Sequence, residues 1–106
     1  MTISVLSACG TLNSTTYIEP QKSFVLGEGM HRSYSAKIKN TGDGDVEVTQ
    51  ADISGTQTSL GILKKGASSE YSVSKNTSVR FKNVSDKKGE INIKLKGNTD
   101  LSMRFE

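Results

Sequence analysis

Apolar and polar residues alternate through most of this chain. In YSAKIKN, Tyr34, Ala36 and Ile38 alternate with Ser35, Lys37 and Lys39, and in VEVT, Val46 and Val48 alternate with Glu47 and Thr49. EYSVS places Tyr71 and Val73 on one side. SVRFKNV sets Val79 and Phe81 against Arg80 and Lys82, and INIKLKG sets Ile91, Ile93 and Leu95 against Asn92, Lys94 and Lys96. LSMRFE continues the pattern, with Leu101, Met103 and Phe105 expected inward and Ser102 and Arg104 outward. Successive strand side chains point to opposite faces, so a period of two predicts strands with one buried and one wet face. SFVLG and TSLGIL are shorter and less regular, and are also read as strands.

The segments between these runs are turn chemistry. NTGDGD, SGT, KKGAS, SKNT, SDKKGE and GNTD separate them, and Gly, Asn and Asp tolerate positive φ and hydrogen-bond locally. Turn signals every 8–12 residues or so indicate an all-β sandwich or barrel. No segment carries a helical period. The expectation is an all-β immunoglobulin-like β-sandwich of about seven or eight antiparallel strands, with a small β-barrel as the alternative. Residues 16–106 would form the single domain, behind a tether at residues 1–15.

One stretch carries a family resemblance. IKNTGDGDVEVTQADISG, followed by LGILKKGASSEYSV, resembles bacterial immunoglobulin-like modules of the CARDB and ASPM–SPD-2–Hydin type. The matching positions are Asn40, Thr41, Gly42, Ile53, Gly55, Leu63 and Gly66, with Lys65 where such modules usually have proline. The resemblance covers about forty residues and implies a sandwich fold. It implies no activity, because sandwiches of this kind host unrelated functions.

Composition then narrows the chemistry. The 106 residues contain one cysteine, Cys9, and one histidine, His31. An internal disulfide is therefore impossible, and so is a cysteine-rich zinc site. No apolar run approaches the roughly 20 residues of a spanning helix. Charge is uneven: residues 1–53 sum to −2 and residues 54–106 to +5, for a net +3. If the last three predicted strands were consecutive neighbours, Arg80, Lys82, Lys94, Lys96 and Arg104 would share one outer face. Such a face would offer a weak site for an anionic surface, or would simply be soluble and resist edge pairing. Single-stranded nucleic acid is not an expected partner, because its binders interleave aromatics with the charges, whereas Phe81 and Phe105 alternate inward.

The N-terminal LSAC, Leu6-Ser7-Ala8-Cys9, resembles the bacterial lipobox. That resemblance implies lipidation of Cys9, a membrane partner reached through the lipid, and a place in the cell envelope on the periplasmic or surface side. The preceding residues lack the basic, apolar signal that secretion requires, so the motif would follow a truncated signal. The small, polar GTLNSTT after it suits a tether.

Asp43, Asp45 and Glu47 cluster in GDGDVE, but the full EF-hand spacing is missing, and a hairpin turn is expected there with no metal. His31, which follows Gly27 and Gly29 in GEGMHRS, has no nucleophile motif beside it. These readings point to a non-catalytic envelope lipoprotein module, with a binding or structural role and no cofactor. The alternative is an intracellular or phage-type protein-binding module with Cys9 unmodified.

Overall fold

The computed structural model describes residues 11–97 and 101–106. Nine strands, β1 (Thr11–Ile18), β2 (Ser23–Leu26), β3 (Tyr34–Asn40), β4 (Val46–Asp52), β5 (Gln57–Leu63), β6 (Ser68–Val73), β7 (Thr77–Asn83), β8 (Gly89–Gly97) and β9 (Met103–Phe105), form two sheets. Their orders are β1-β8-β3-β6 and β5-β4-β7-β2-β9, every pairing being antiparallel. Neither sheet closes, so the sandwich stands and the barrel alternative falls.

The strand order departs from the immunoglobulin one. An immunoglobulin sandwich keeps its first two strands side by side in one sheet, whereas here β1 and β2 lie in opposite sheets. The pairings run β1 with β8, β2 with β7, β3 with β6 and β4 with β5. The first eight strands are thus one long antiparallel ribbon, folded over so that β3 also meets β8 and β4 also meets β7. That is the jelly-roll arrangement, extended by β9 at the free side of β2.

The alternation is realised strand by strand. β3, β7 and β8 turn Tyr34, Ala36, Ile38, Val79, Phe81, Ile91, Ile93 and Leu95 into one core with Ile18, Phe24, Leu26, Val46, Val48, Leu63 and Val73. Two expectations are corrected. Residues 11–15, read as tether, are the first half of β1 and pair with β8 from Thr11↔Lys96 onward. Thr16 stands at an inward position where a more apolar strand would carry an aliphatic residue, and it is buried. Met103 and Phe105 do take inward positions, opposite the core residues Leu26 and Phe24 in the register, but neither is buried, Phe105 being 61% exposed. β9 is the outermost of five strands faced by only four, so Phe105 has little beyond Phe24 to cover it (ring centroids 5.4 Å apart).

Two fully buried asparagines close the crossings between sheets. Asn40, at the end of β3, accepts from Gly42 N with Oδ1 and donates through Nδ2 to Gly44 O and Leu63 O. Asn83, at the end of β7, repeats the pattern. It accepts from Ser85 N and donates to Lys87 O and Ile18 O. The two turns pack on each other so closely that a Cβ on Gly44 would lie 2.0 Å from Ser85 Oγ, and one on Gly42 2.6 Å from Glu90 N.

Candidate anion-binding face

The five basic residues expected on one face are divided between two. Arg80 and Lys82 lie on β7 and Arg104 on β9, in the five-stranded sheet, while Lys94 and Lys96 lie on β8 in the four-stranded one. The reason is the β7–β8 turn. Clamped by Asn83, it carries the chain from one sheet to the other instead of making a hairpin within one.

On the five-stranded sheet the arginines are engaged by carboxylates. Arg80 and Arg104 flank Val25 in the strand register, and Val25 is only 2% exposed although it faces outward. The two long side chains cover it, as amphipathic side chains do. Glu106 bridges them, one oxygen 2.6 Å from Arg80 Nη2 and the other 2.8 Å from Arg104 Nη2. Arg104 also forms a two-point pair with Glu28, through Nε and through Nη2 at 2.9 Å. This hydrogen-bonded guanidinium holds the Glu28 carboxyl below its ordinary value. Lys82, half-buried, stands across from Glu47 on β4. This face is close to balanced in charge.

The outer face of the four-stranded sheet is different. β3 and β8 are neighbours, and their register sets Lys37 directly across from Lys94, with Ser35 across from Lys96 and Lys39 across from Asn92. All four lysines are exposed. None forms an ion pair among the described residues. Glu70 on β6, across from Lys37, is the nearby carboxylate in the register. Lys37, Lys39 and Lys94 rim a shallow depression of about 330 Å³ together with Gly66, Ser68 and Asn92. A second depression, of about 360 Å³, adjoins it; Leu12 and Leu95 give it an apolar part, and Lys37, Lys94 and Lys96 bound it with Asn13, Ser35 and Glu70. Asn92 is held in place by donating to Asn13 Oδ1 at 3.1 Å and Ser14 O at 3.3 Å. Ammonium, hydroxyl and amide groups around an open basin can take up oxyanions by charge and by hydrogen bonding.

Lys37 and Lys39 were missing from the expected set. Their outward alternation was visible in YSAKIKN; the pairing of β3 with β8, which joins them to Lys94 and Lys96, was not.

The remaining candidates are structural in place. His31 has Nδ1 2.7 Å from Arg32 O and Nε2 2.9 Å from Thr77 O, and its backbone N–H donates to Asn76 Oδ1. Its ring therefore ties the β2–β3 loop to the start of β7. Asp43 pairs with Lys65 at 3.2 Å. Among the described residues no three His, Cys, Asp or Glu side chains gather as a metal site, and no helix is long and apolar enough to cross a membrane. Leu6, Ser7, Ala8 and Cys9 lie outside the described residues.

Fold and surface together define a jelly-roll β-sandwich with one balanced and one basic outer face. No protein-family model and no curated protein matches the chain. Among solved structures it is similar to procruciferin, an 11S globulin from Brassica napus (17% identity, TM-score 0.59, covering 89% of this chain and 22% of that one). It is also similar to Drosophila melanogaster CENP-C bound to CAL1 (12% identity, TM-score 0.56, 76% and 58%). A third is the Yersinia pseudotuberculosis-derived mitogen (11% identity, TM-score 0.53, 85% and 87%). At these identities the likeness is one of fold alone. The chain spans less than two thirds of the globulin and CENP-C chains it resembles.

Proposed function

We propose that the protein is a non-catalytic binding module of the bacterial cell envelope, held at a membrane by lipid on Cys9. The observation that carries this reading is the lipobox-like Leu6-Ser7-Ala8-Cys9, with only Gly10 between Cys9 and the first residue of β1. An acylated Cys9 would hold the sandwich directly against the bilayer rather than at the end of a long leash. Two or more acyl chains anchor stably where one does not, at about 0.8 kcal/mol per buried CH₂. Support for a non-catalytic role is that the chain's one histidine has both ring nitrogens against main-chain carbonyls.

The deciding experiment is the intact mass of the protein isolated from its own cells, expressed with its natural upstream gene sequence. A species beginning at Cys9 and carrying acyl chains is expected. A species beginning at Met1 with a free thiol would overturn the reading and favour an intracellular, protein-binding role.

A further inference from the structure

The four-lysine face has a feature that stability alone does not account for. Like charges placed directly across a strand pair are destabilising, yet Lys37 and Lys94 occupy opposed positions on β3 and β8. Lys39 and Lys96 extend the patch, with Glu70 as the one carboxylate across from it on β6. β8 is an inner strand, flanked by β1 and β3, so these lysines do not guard a sheet edge against pairing. A role in solubility asks for mixed charges rather than one sign in adjoining positions.

We infer that this face docks on the phosphate-bearing surface of an anionic phospholipid bilayer. Three properties select that occupant. The basic groups are lysines, compact hydrated charges without the planar fork that reads a single carboxylate or phosphate in one geometry. They line two adjoining open depressions rather than one enclosed pocket, which suits many headgroups at once. The molecule is also a slab, 39 × 35 × 21 Å, whose broad sides are the sheet faces. Nucleic acid is a poorer occupant: the aromatic of this face, Tyr17, lies toward the far end of β1 from the Lys96 pairing, with Lys88 5.2 Å from its ring centre. The lysine charge acts whether or not Cys9 is acylated. The further point that β1 enters this same sheet beside Lys96, so that tether and patch act on one membrane, rests on the proposed function above. A lysine near an anionic leaflet contributes about 1 kcal/mol, which converts to roughly fivefold in affinity per residue at 25 °C.

The test uses the full chain carrying Cys9→Ser and no lipid, so that failure of the acylation reading cannot be mistaken for failure of this one. Co-sedimentation with vesicles of phosphatidylcholine plus phosphatidylglycerol is compared with phosphatidylcholine alone. Expected are binding to the anionic vesicles only, weakening with salt, and a loss of at least about tenfold in the Lys37→Gln/Lys94→Gln variant. The glutamine variant keeps a long polar side chain and avoids setting new carboxylates beside Glu70, and its melting curve checks folding. A Lys82→Gln/Lys87→Gln variant, with the same net charge, is expected to bind nearly as wild type. Equal weakening of both variants would mean that net charge alone is read, and would overturn the inference. So would binding to neutral vesicles, or absence of vesicle binding while inorganic polyphosphate binds through Lys37 and Lys94.

Discussion

The side chains that hold this fold together most specifically are polar. Asn40 and Asn83 each answer main-chain groups that the crossing between sheets would otherwise leave buried and unpaired. Asn83 serves Ile18 O, Lys87 O and Ser85 N together. Truncation to alanine strands them in a site of zero exposure, so Asn83→Ala is expected to cost about 2–4 kcal/mol. That is a large part of the roughly 5–15 kcal/mol of a typical domain. Urea unfolding measures it; a loss below about 1 kcal/mol would show that the turn re-satisfies itself. Tyr34 is the opposite case. Its hydroxyl is buried without a partner, and burial pushes the phenol above the ordinary tyrosine range. Tyr34→Phe removes an unpaired polar group while keeping the ring against His31, 5.4 Å away. It is expected to leave stability unchanged or raise it by up to about 1 kcal/mol, and a clear loss in the same urea experiment would mean that the hydroxyl has a partner in solution.

Among the elements, legibility followed the regularity of alternation. β3, β7 and β8 could be read from sequence because aliphatic or aromatic residues fill two or three successive inward positions in each: Tyr34, Ala36 and Ile38; Val79 and Phe81; Ile91, Ile93 and Leu95. β1 could not, because Thr16 fills one of those positions and Asn13 and Thr15 keep the strand polar outside. The basic site was half legible for a related reason. Alternation says that Lys94 and Lys37 face outward, but only strand pairing says that they face outward side by side, and pairing between strands fifty residues apart leaves no local mark. The opposed lysines also make a prediction about β8 itself. Replacing Lys94 with threonine removes the repulsion and supplies a β-branched residue that suits a strand. Lys94→Thr is therefore expected to gain about 0.5 kcal/mol at low salt, and less as salt screens the pair. Denaturant titrations at two ionic strengths would measure this, and a loss of stability would place Lys94 in a favourable contact instead.

For the molecule as a whole, the ribbon topology makes the N-terminal strand a structural necessity. β1 pairs along its full length with β8, from Thr11↔Lys96 to Ile18↔Gly89, and contributes Ile18, which is fully buried. Without β1, the backbone of β8 would lose its partners on one side, and the core would open at Ile91 and Ile93, which the register sets opposite Thr16 and Ser14. Pairing an N-terminal strand with a C-terminal one is also the kind of distant contact that slows folding, since loop closure precedes any gain from it. A tether and a strand therefore predict different truncations. A chain starting at Thr11 is expected to unfold as cooperatively as the full chain, within about 1 kcal/mol. A chain starting at Glu19 is expected to lose cooperative unfolding or to aggregate through the bared β8 edge. Thermal melts of the two truncations separate the cases: if the shorter chain melts like the longer one, β1 is an appendage, and the lipid proposed for Cys9 would hang from a leash rather than from the sandwich wall.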